Sequence, residues 1–151
     1  MGMPILRVMS DGDFEEVTHE LDALESELDP IRLLVDEGEE TFGHAPTARE
    51  SAFRQLESAV RHTLGSARAL IEQTQWEAPE EELEVIDVLV EEDVVPERVG
   101  ADILEIAEFT IHELDEHAWE SDGLYDRMAK SVDTLSDYIE YVNHFLKGWA
   151  E

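Results

Sequence analysis

The stretch Phe14-Glu-Glu-Val17-Thr-His-Glu-Leu21-Asp-Ala-Leu24-Glu-Ser-Glu-Leu28-Asp-Pro30-Ile31-Arg-Leu-Leu-Val35 decides the fold. Its apolar residues Phe14, Val17, Leu21, Leu24, Leu28, Ile31 and Val35 recur at alternating spacings of three and four. That period puts every one of them on a single stripe of an α-helix and on no single face of a strand. Asp13 and Glu16 stand as a capping pair at its start. Pro30 interrupts the pattern, so the helix is expected either to kink there or to restart with Asp29 as cap and Pro30 at the first position.

The same period recurs outward from this stretch. Asp36–Pro46 has two glycines, a proline and no periodicity, and reads as a loop. Thr47 and Glu50 form a capping box for a second helix along Phe53, Leu56, Val60, Leu64, Ala67 and Ile71, ending near Gln75. Pro79 and three glutamates open a short third helix with Leu83, Ile86, Leu89 and Val90. Pro96 opens a fourth with Val99, Ile103, Ile106, Thr110 and Leu114 turned inward. Ser121-Asp122-Gly123 breaks the chain before a fifth helix, which carries Tyr125, Met128, Val132, Leu135, Ile139, Val142, Leu146 and Trp149. The expected fold is all-α, an antiparallel up-and-down bundle of about five helices forming one domain over residues 1–151, with residues 1–10 poorly ordered. Aromatic groups near helix ends (Trp76, Phe109, Trp119, Trp149) leave apolar surface to spare, which points to a homodimer.

Charge narrows the function. The 151 residues carry 39 Asp plus Glu against 10 Lys plus Arg, a formal charge of −29. The acids number 14, 12 and 13 in residues 1–50, 51–100 and 101–151, so no tail carries the excess. Self-repulsion of that size is tolerable where salt screens it, since the Debye length is about 3 Å at molar salt. Only two of the cations are lysines, and the pattern fits the cytoplasm of a salt-accumulating halophile. A nucleic-acid mimic would gather its acids on one face, which the even distribution disfavours. Bulk electrostatic binding of nucleic acid is disfavoured as well, because it needs a basic patch. The longest run without a charged residue is the eight of Thr41–Ala48, far short of the roughly 20 apolar residues a membrane helix needs. Met1–Ser10 has no apolar run of signal-peptide length, and zero cysteines exclude disulfides, thiol nucleophiles and Cys-ligated metals. No cofactor motif or metal-ligand set is present.

Two constellations could carry chemistry. Arg54, Arg61 and Arg68 lie seven apart on one helix face, in a segment (Phe53–Ile71) with Glu57 as its only acid. They could grip a phosphate or a partner's carboxylates by bidentate contacts, or pair with acids of a neighbouring helix. The second is His112, Glu113, Asp115, Glu116 and His117 at the end of the fourth helix. Each histidine has a carboxylate four residues away and could serve as an acid or base. The two lie about 140° apart around the helix, too far to share a metal unaided. The alternative is a solvated helix end with histidines at the negative pole of the dipole.

The segment Ile86-Asp-Val-Leu-Val-Glu-Glu-Asp-Val-Val-Pro-Glu-Arg98, followed by a helix reaching Glu108-Phe109, resembles the HEPN superfamily, and within it the HepT-like branch of toxin–antitoxin modules. The resemblance implies a dimerising helical bundle paired with a minimal nucleotidyltransferase antitoxin. It also implies a metal-independent ribonuclease whose site is an Arg and a His a few residues apart, with a nearby Tyr that receives AMP. Laid on this chain from Phe109, those positions fall on Thr110, Asp115 and His117, none of which matches. No Arg stands in that relation to a His, Arg54 coming nearest with seven residues before His62. Tyr125 is the one candidate to replace the missing acceptor. The resemblance therefore implies a catalytically degenerate toxin homologue that works as a dimeric partner-binding module. The alternative is a ribonuclease with a rearranged site, His112 or His117 as acid–base and Arg54 or Arg61 on the RNA phosphate.

Overall fold

In the computed structural model, residues 14–112 and 123–150 are described. They form six helices and no strand: α1 (Glu15–Asp36), α2 (Glu39–Gly43), α3 (Pro46–Thr74), α4 (Glu84–Glu91), α5 (Glu97–His112) and α6 (Leu124–Ala150). The fold is the expected all-α bundle. Helices α1 and α3 share the most extensive packing, α6 lies against α1 and α5, and the short α4 lies against α3 and α5. The stripe of α1 is the reason. Val17, Leu24, Leu28 and Ile31 are fully buried, facing Leu56, Leu64 and Leu70 of α3 in one apolar core. The expected disorder of residues 1–10, the Asp13 cap, Leu114 and Trp119 lie outside the described residues.

Helix α1 runs unbroken through Pro30 and does not restart there. Pro30 sits on the exposed side, so the one backbone bond it forfeits leaves a carbonyl that water can reach, while buried Leu28 and Ile31 pin the chain on either side. Arg32 adds a tie across the bundle, reaching Ser136 of α6 at 2.5 Å and Asp29 of its own helix at 2.9 Å.

Three local expectations give way. Asp36–Pro46 is not all loop, because Glu39–Gly43 coils into a single turn that buries Phe42 against Tyr125, ring centroids 5.5 Å apart. Helix α3 starts at Pro46, with Ala45 at the cap position and no capping side chain, so Thr47 and Glu50 form no box. Proline's fixed φ suits the first helical position, and it takes that place ahead of Thr47. Helix α4 starts at Glu84 rather than at Pro79. Glu80, Glu81 and Glu82 bring no apolar side chain to bury, and the chain passes through turns until Val85, Ile86 and Leu89 can anchor it. Asp93 then takes a left-handed φ of 60° between α4 and α5, a conformation Asp tolerates better than most residues, and Pro96 accepts the Gly100 N–H at 3.0 Å as α5 begins.

Helix α6 buries more than its expected stripe. Met128, Leu135 and Val142 are inside, and so are Ser131, Thr134 and the whole of Tyr138. The Tyr138 hydroxyl lies 2.6 Å from Ser66 Oγ, which itself donates to the Thr63 carbonyl at 2.7 Å. At the far end of the helix Trp149 remains 44% exposed.

Candidate functional site

The arginine stripe is set out along α3 because that helix turns its other faces to α1, α5 and the bundle interior. Arg54, Arg61 and Arg68 are all exposed. Arg54 pairs with Glu57 one turn along its own helix, Nη1 to Oε1 3.2 Å. Among the described residues neither Arg61 nor Arg68 makes an ion pair, and none of the three reaches an acid on a neighbouring helix. Exposed and set about 10 Å apart along the axis, these guanidiniums are positioned to meet carboxylates or phosphates arriving from outside.

The end of α5 is the second locus. Thr110, where the resemblance lays an arginine, is 5% exposed, and its hydroxyl donates back to the Ala107 carbonyl at 3.1 Å. A buried hydroxyl committed to its own helix cannot act on an external phosphate. The side chain of His112 and the whole of Asp115 and His117 lie outside the described residues. Beside Thr110, Phe109 is half-buried and meets the edge of Phe53 from α3 at 5.5 Å. The guanidinium of Arg127 lies over the Phe109 ring, 4.5 Å from its centroid, in cation–π contact. One turn further along α6, Lys130 reaches Asp102 of α5 at 3.5 Å.

Sequence reasoning missed Arg127 and Lys130. The available signal is the Gly123 break, φ 79°, after which α6 runs back along α5 and its first two turns return these cations to it. A cation therefore stands next to the α5 end, although α5 itself supplies none there.

Tyr125 does not suit the role of a replacement acceptor. Its hydroxyl donates to the Val35 carbonyl at 2.9 Å and its ring packs on Phe42, tying α6 to the end of α1. Elsewhere, His62 and Glu20 join α3 to α1 through a 3.0 Å contact between Nδ1 and Oε2. The absence of a side chain at Gly65 makes room for that carboxylate, since a Cβ there would stand 2.7 Å from Glu20 Oε2. Among the described residues, no three His, Asp or Glu side chains converge to hold a metal ion, and no helix is long and apolar enough to cross a membrane.

Comparison with known proteins finds the same architecture. The chain superposes on a chain of a toxin–antitoxin crystal structure with AMP-PNP at a TM-score of 0.75 and 10% identity, covering 85% of this chain and 97% of that one. A mutant of the MntA-HpeT toxin–antitoxin gives 0.71 and 10%, with 86% and 98% covered. YutE of Bacillus subtilis, described as a cytosolic protein of unknown function, gives 0.70 and 17%, with 87% and 89% covered. No family model matches the sequence, and no curated protein matches it. The likeness is one of fold: this chain shares the all-helical fold of chains in these toxin–antitoxin structures, as the resemblance to HepT-like proteins led one to expect.

Proposed function

We propose that this chain is a HepT-like protein without ribonuclease activity that acts as a dimeric docking module for a nucleotidyltransferase antitoxin in a salt-rich cytoplasm. One observation carries the reading. The position at which the family resemblance requires a phosphate-binding arginine holds Thr110, buried and hydrogen-bonded to its own helix. Two of the solved structures of like fold are toxin–antitoxin structures, which supports a protein partner. On this reading the partner is acidic like its host, and the Arg54–Arg61–Arg68 face receives its carboxylates. In molar salt long-range steering is screened, and short bidentate contacts, for which Arg is better suited than Lys, do the holding.

The test is co-expression with the product of the adjacent gene, in molar KCl, with and without Arg61→Glu. Association is expected to weaken at least tenfold while helicity stays unchanged, and purified protein is expected to leave RNA intact. Equal association by both proteins would remove the docking face, and RNA cleavage would remove the degenerate reading.

A second reading, a ribonuclease with a rearranged site, draws support from Arg127, which places a cation beside the α5 end that carries His112. Cleavage of an RNA phosphodiester by a ribose hydroxyl needs an acid, a base and a cation within hydrogen-bond reach of one another. Under this reading Arg127→Ala abolishes cleavage and Arg61→Glu does not.

A further inference from the structure

A groove of about 910 Å³ lies at the other end of α3 from the α2 turn, walled by the Trp76–Glu80 loop, α4 and the first half of α5. Its origin is the shortness of α4. Eight residues cannot cover the surfaces of α3 and α5 that meet there, so Trp76, Val88, Val90 and Leu104 remain half-buried along the floor. Gly100 deepens the floor, since it lets α5 come so near α4 that a Cβ would stand 2.5 Å from Val90 Cγ2. The apolar surface also continues beyond the groove. Trp76 meets Phe145 in a tilted contact, ring centroids 5.7 Å apart, and Phe145 meets the exposed Trp149 in another at 5.7 Å. An aromatic row therefore leads from the groove floor to one of the two large apolar side chains left exposed among the described residues.

The rim is entirely anionic. Seven carboxylates and no cation line the groove, with Glu84, Asp87 and Glu91 spaced along the exposed side of α4. An apolar floor under an acidic rim is complementary to an amphipathic helix whose apolar face is flanked by Lys or Arg. Nucleic acid is repelled by such a rim. A second copy of this chain, with 39 acids and 10 cations, offers a poor match.

We propose that this groove docks a cationic amphipathic helix of a partner protein. None of the stripe arginines lines it, so this surface is independent of the Arg61 face and survives that reading's failure. Binding has two components of different salt response. The rim charges weaken with screening, while burial of apolar anchors against Trp76 and Leu104 persists in molar KCl.

The probe is a fluorescein-labelled amphipathic peptide of Lys and Leu, about 18 residues and so about 27 Å long as a helix, followed by anisotropy against the full chain in about 0.5 M KCl. Its Glu/Leu twin serves as the control of opposite charge. Reversing two rim charges, Glu84→Lys with Asp87→Lys, is expected to weaken the Lys/Leu peptide at least tenfold. Reversing two remote exposed charges on the α2 turn, Glu39→Lys with Glu40→Lys, is expected to change it less than twofold. Ala101→Tyr fills the groove from an exposed position without altering charge, and is expected to weaken the peptide at least fivefold. Equal losses from the two charge pairs would mean bulk attraction to a polyanion, and would overturn the proposal. So would equal binding of the Glu/Leu twin, or full affinity in Ala101→Tyr. If the rim variant instead converts a sedimenting dimer to monomer, the occupant is a second copy, and the cationic partner is ruled out.

Discussion

Tyr138→Phe tests the buried polar centre of the bundle with a change of sign across pH. The ring is wholly buried, and its hydroxyl contacts Ser66 Oγ at 2.6 Å. Burial pushes the phenol well above its ordinary value near 10, and the Ser66 hydrogen bond opposes this only in part. The unfolded chain, in water, loses the phenolic proton in the ordinary range. The native chain therefore holds a proton that the unfolded chain gives up, so this contribution is complete below pH 10 and is lost as pH rises toward the native value. The loss reaches about 1.4 kcal/mol at pH 11, because one proton is worth about 1.4 kcal/mol per pH unit beyond the unfolded value. Tyr138→Phe removes the titration together with the hydroxyl's contacts to Ser66 Oγ and, at 3.3 Å, to the Thr63 carbonyl. Ser66 keeps its acceptor, the Thr63 carbonyl, so the substitution costs about 1 kcal/mol at pH 8. The variant is thus less stable than wild type at pH 8 and equal or slightly more stable near pH 11. Urea unfolding followed by circular dichroism, at fixed molar KCl from pH 8 to about pH 11, measures the crossing. Tyr125 and Tyr141 are common to both proteins and drop out of the difference. Stability curves that fall in parallel over this range would refute the argument that burial holds Tyr138 neutral.

Three further outcomes are expected. Helicity and cooperative melting rise steeply as KCl increases from low to molar concentration, and equal stability in dilute buffer would count against a halophilic origin of the −29 charge. Gly100→Ala destabilises wild type by about 1 kcal/mol, overpacking against Val90 outweighing the gain in helix propensity, but is neutral or stabilising in a Val90→Ala background. A double-mutant cycle by urea titration reads the change of sign. Tyr125→Phe removes the hydroxyl that caps the Val35 carbonyl, lowers stability by about 1 kcal/mol in thermal melts, and leaves any AMP transfer from a nucleotidyltransferase unaffected.

The bundle was legible because its long helices carry stripes that a strand cannot use, and because burial on α1 follows its 3,4 spacing from Val17 to Ile31. What escaped the reading falls below a helical period or depends on two neighbours at once. The five residues of α2 are too few to show periodicity, and Phe42 alone among them needs cover. The start of α4 depends on where an apolar residue first meets α3 and α5, not on where Pro79 permits a helix. Tyr138 stands at the edge of the Leu135–Ile139–Val142 stripe, three residues after Leu135 and four before Val142, and its hydroxyl keeps it out of an apolar pattern. It is buried because α6 packs on α1 and α5 together and Ser66 supplies the polar contact.

The candidate site was legible in part, for a reason that spacing alone cannot cure. A stripe such as Arg54–Arg61–Arg68 belongs to one helix, and its sharing of a face follows from the period. Its freedom from neighbouring acids does not, because that depends on how α1, α5 and α6 turn their own carboxylates. Arg127 is the converse case. It stands 18 residues after Phe109 in the chain, and the packing of α6 along α5 brings its guanidinium to 4.5 Å from the Phe109 ring. In a protein with four acids for every cation, a cation held against an aromatic face rather than a carboxylate is a departure from the prevailing pairing. Ring contact leaves the edge of the guanidinium with donors to spare, whereas a bidentate carboxylate would occupy them. That geometry keeps Arg127 available to an external oxyanion at the end of α5, and makes its replacement the sharper discriminator between a docking module and a rearranged nuclease. Loss of RNA cleavage on Arg127→Ala, with partner binding retained, is an outcome only the nuclease accounts for.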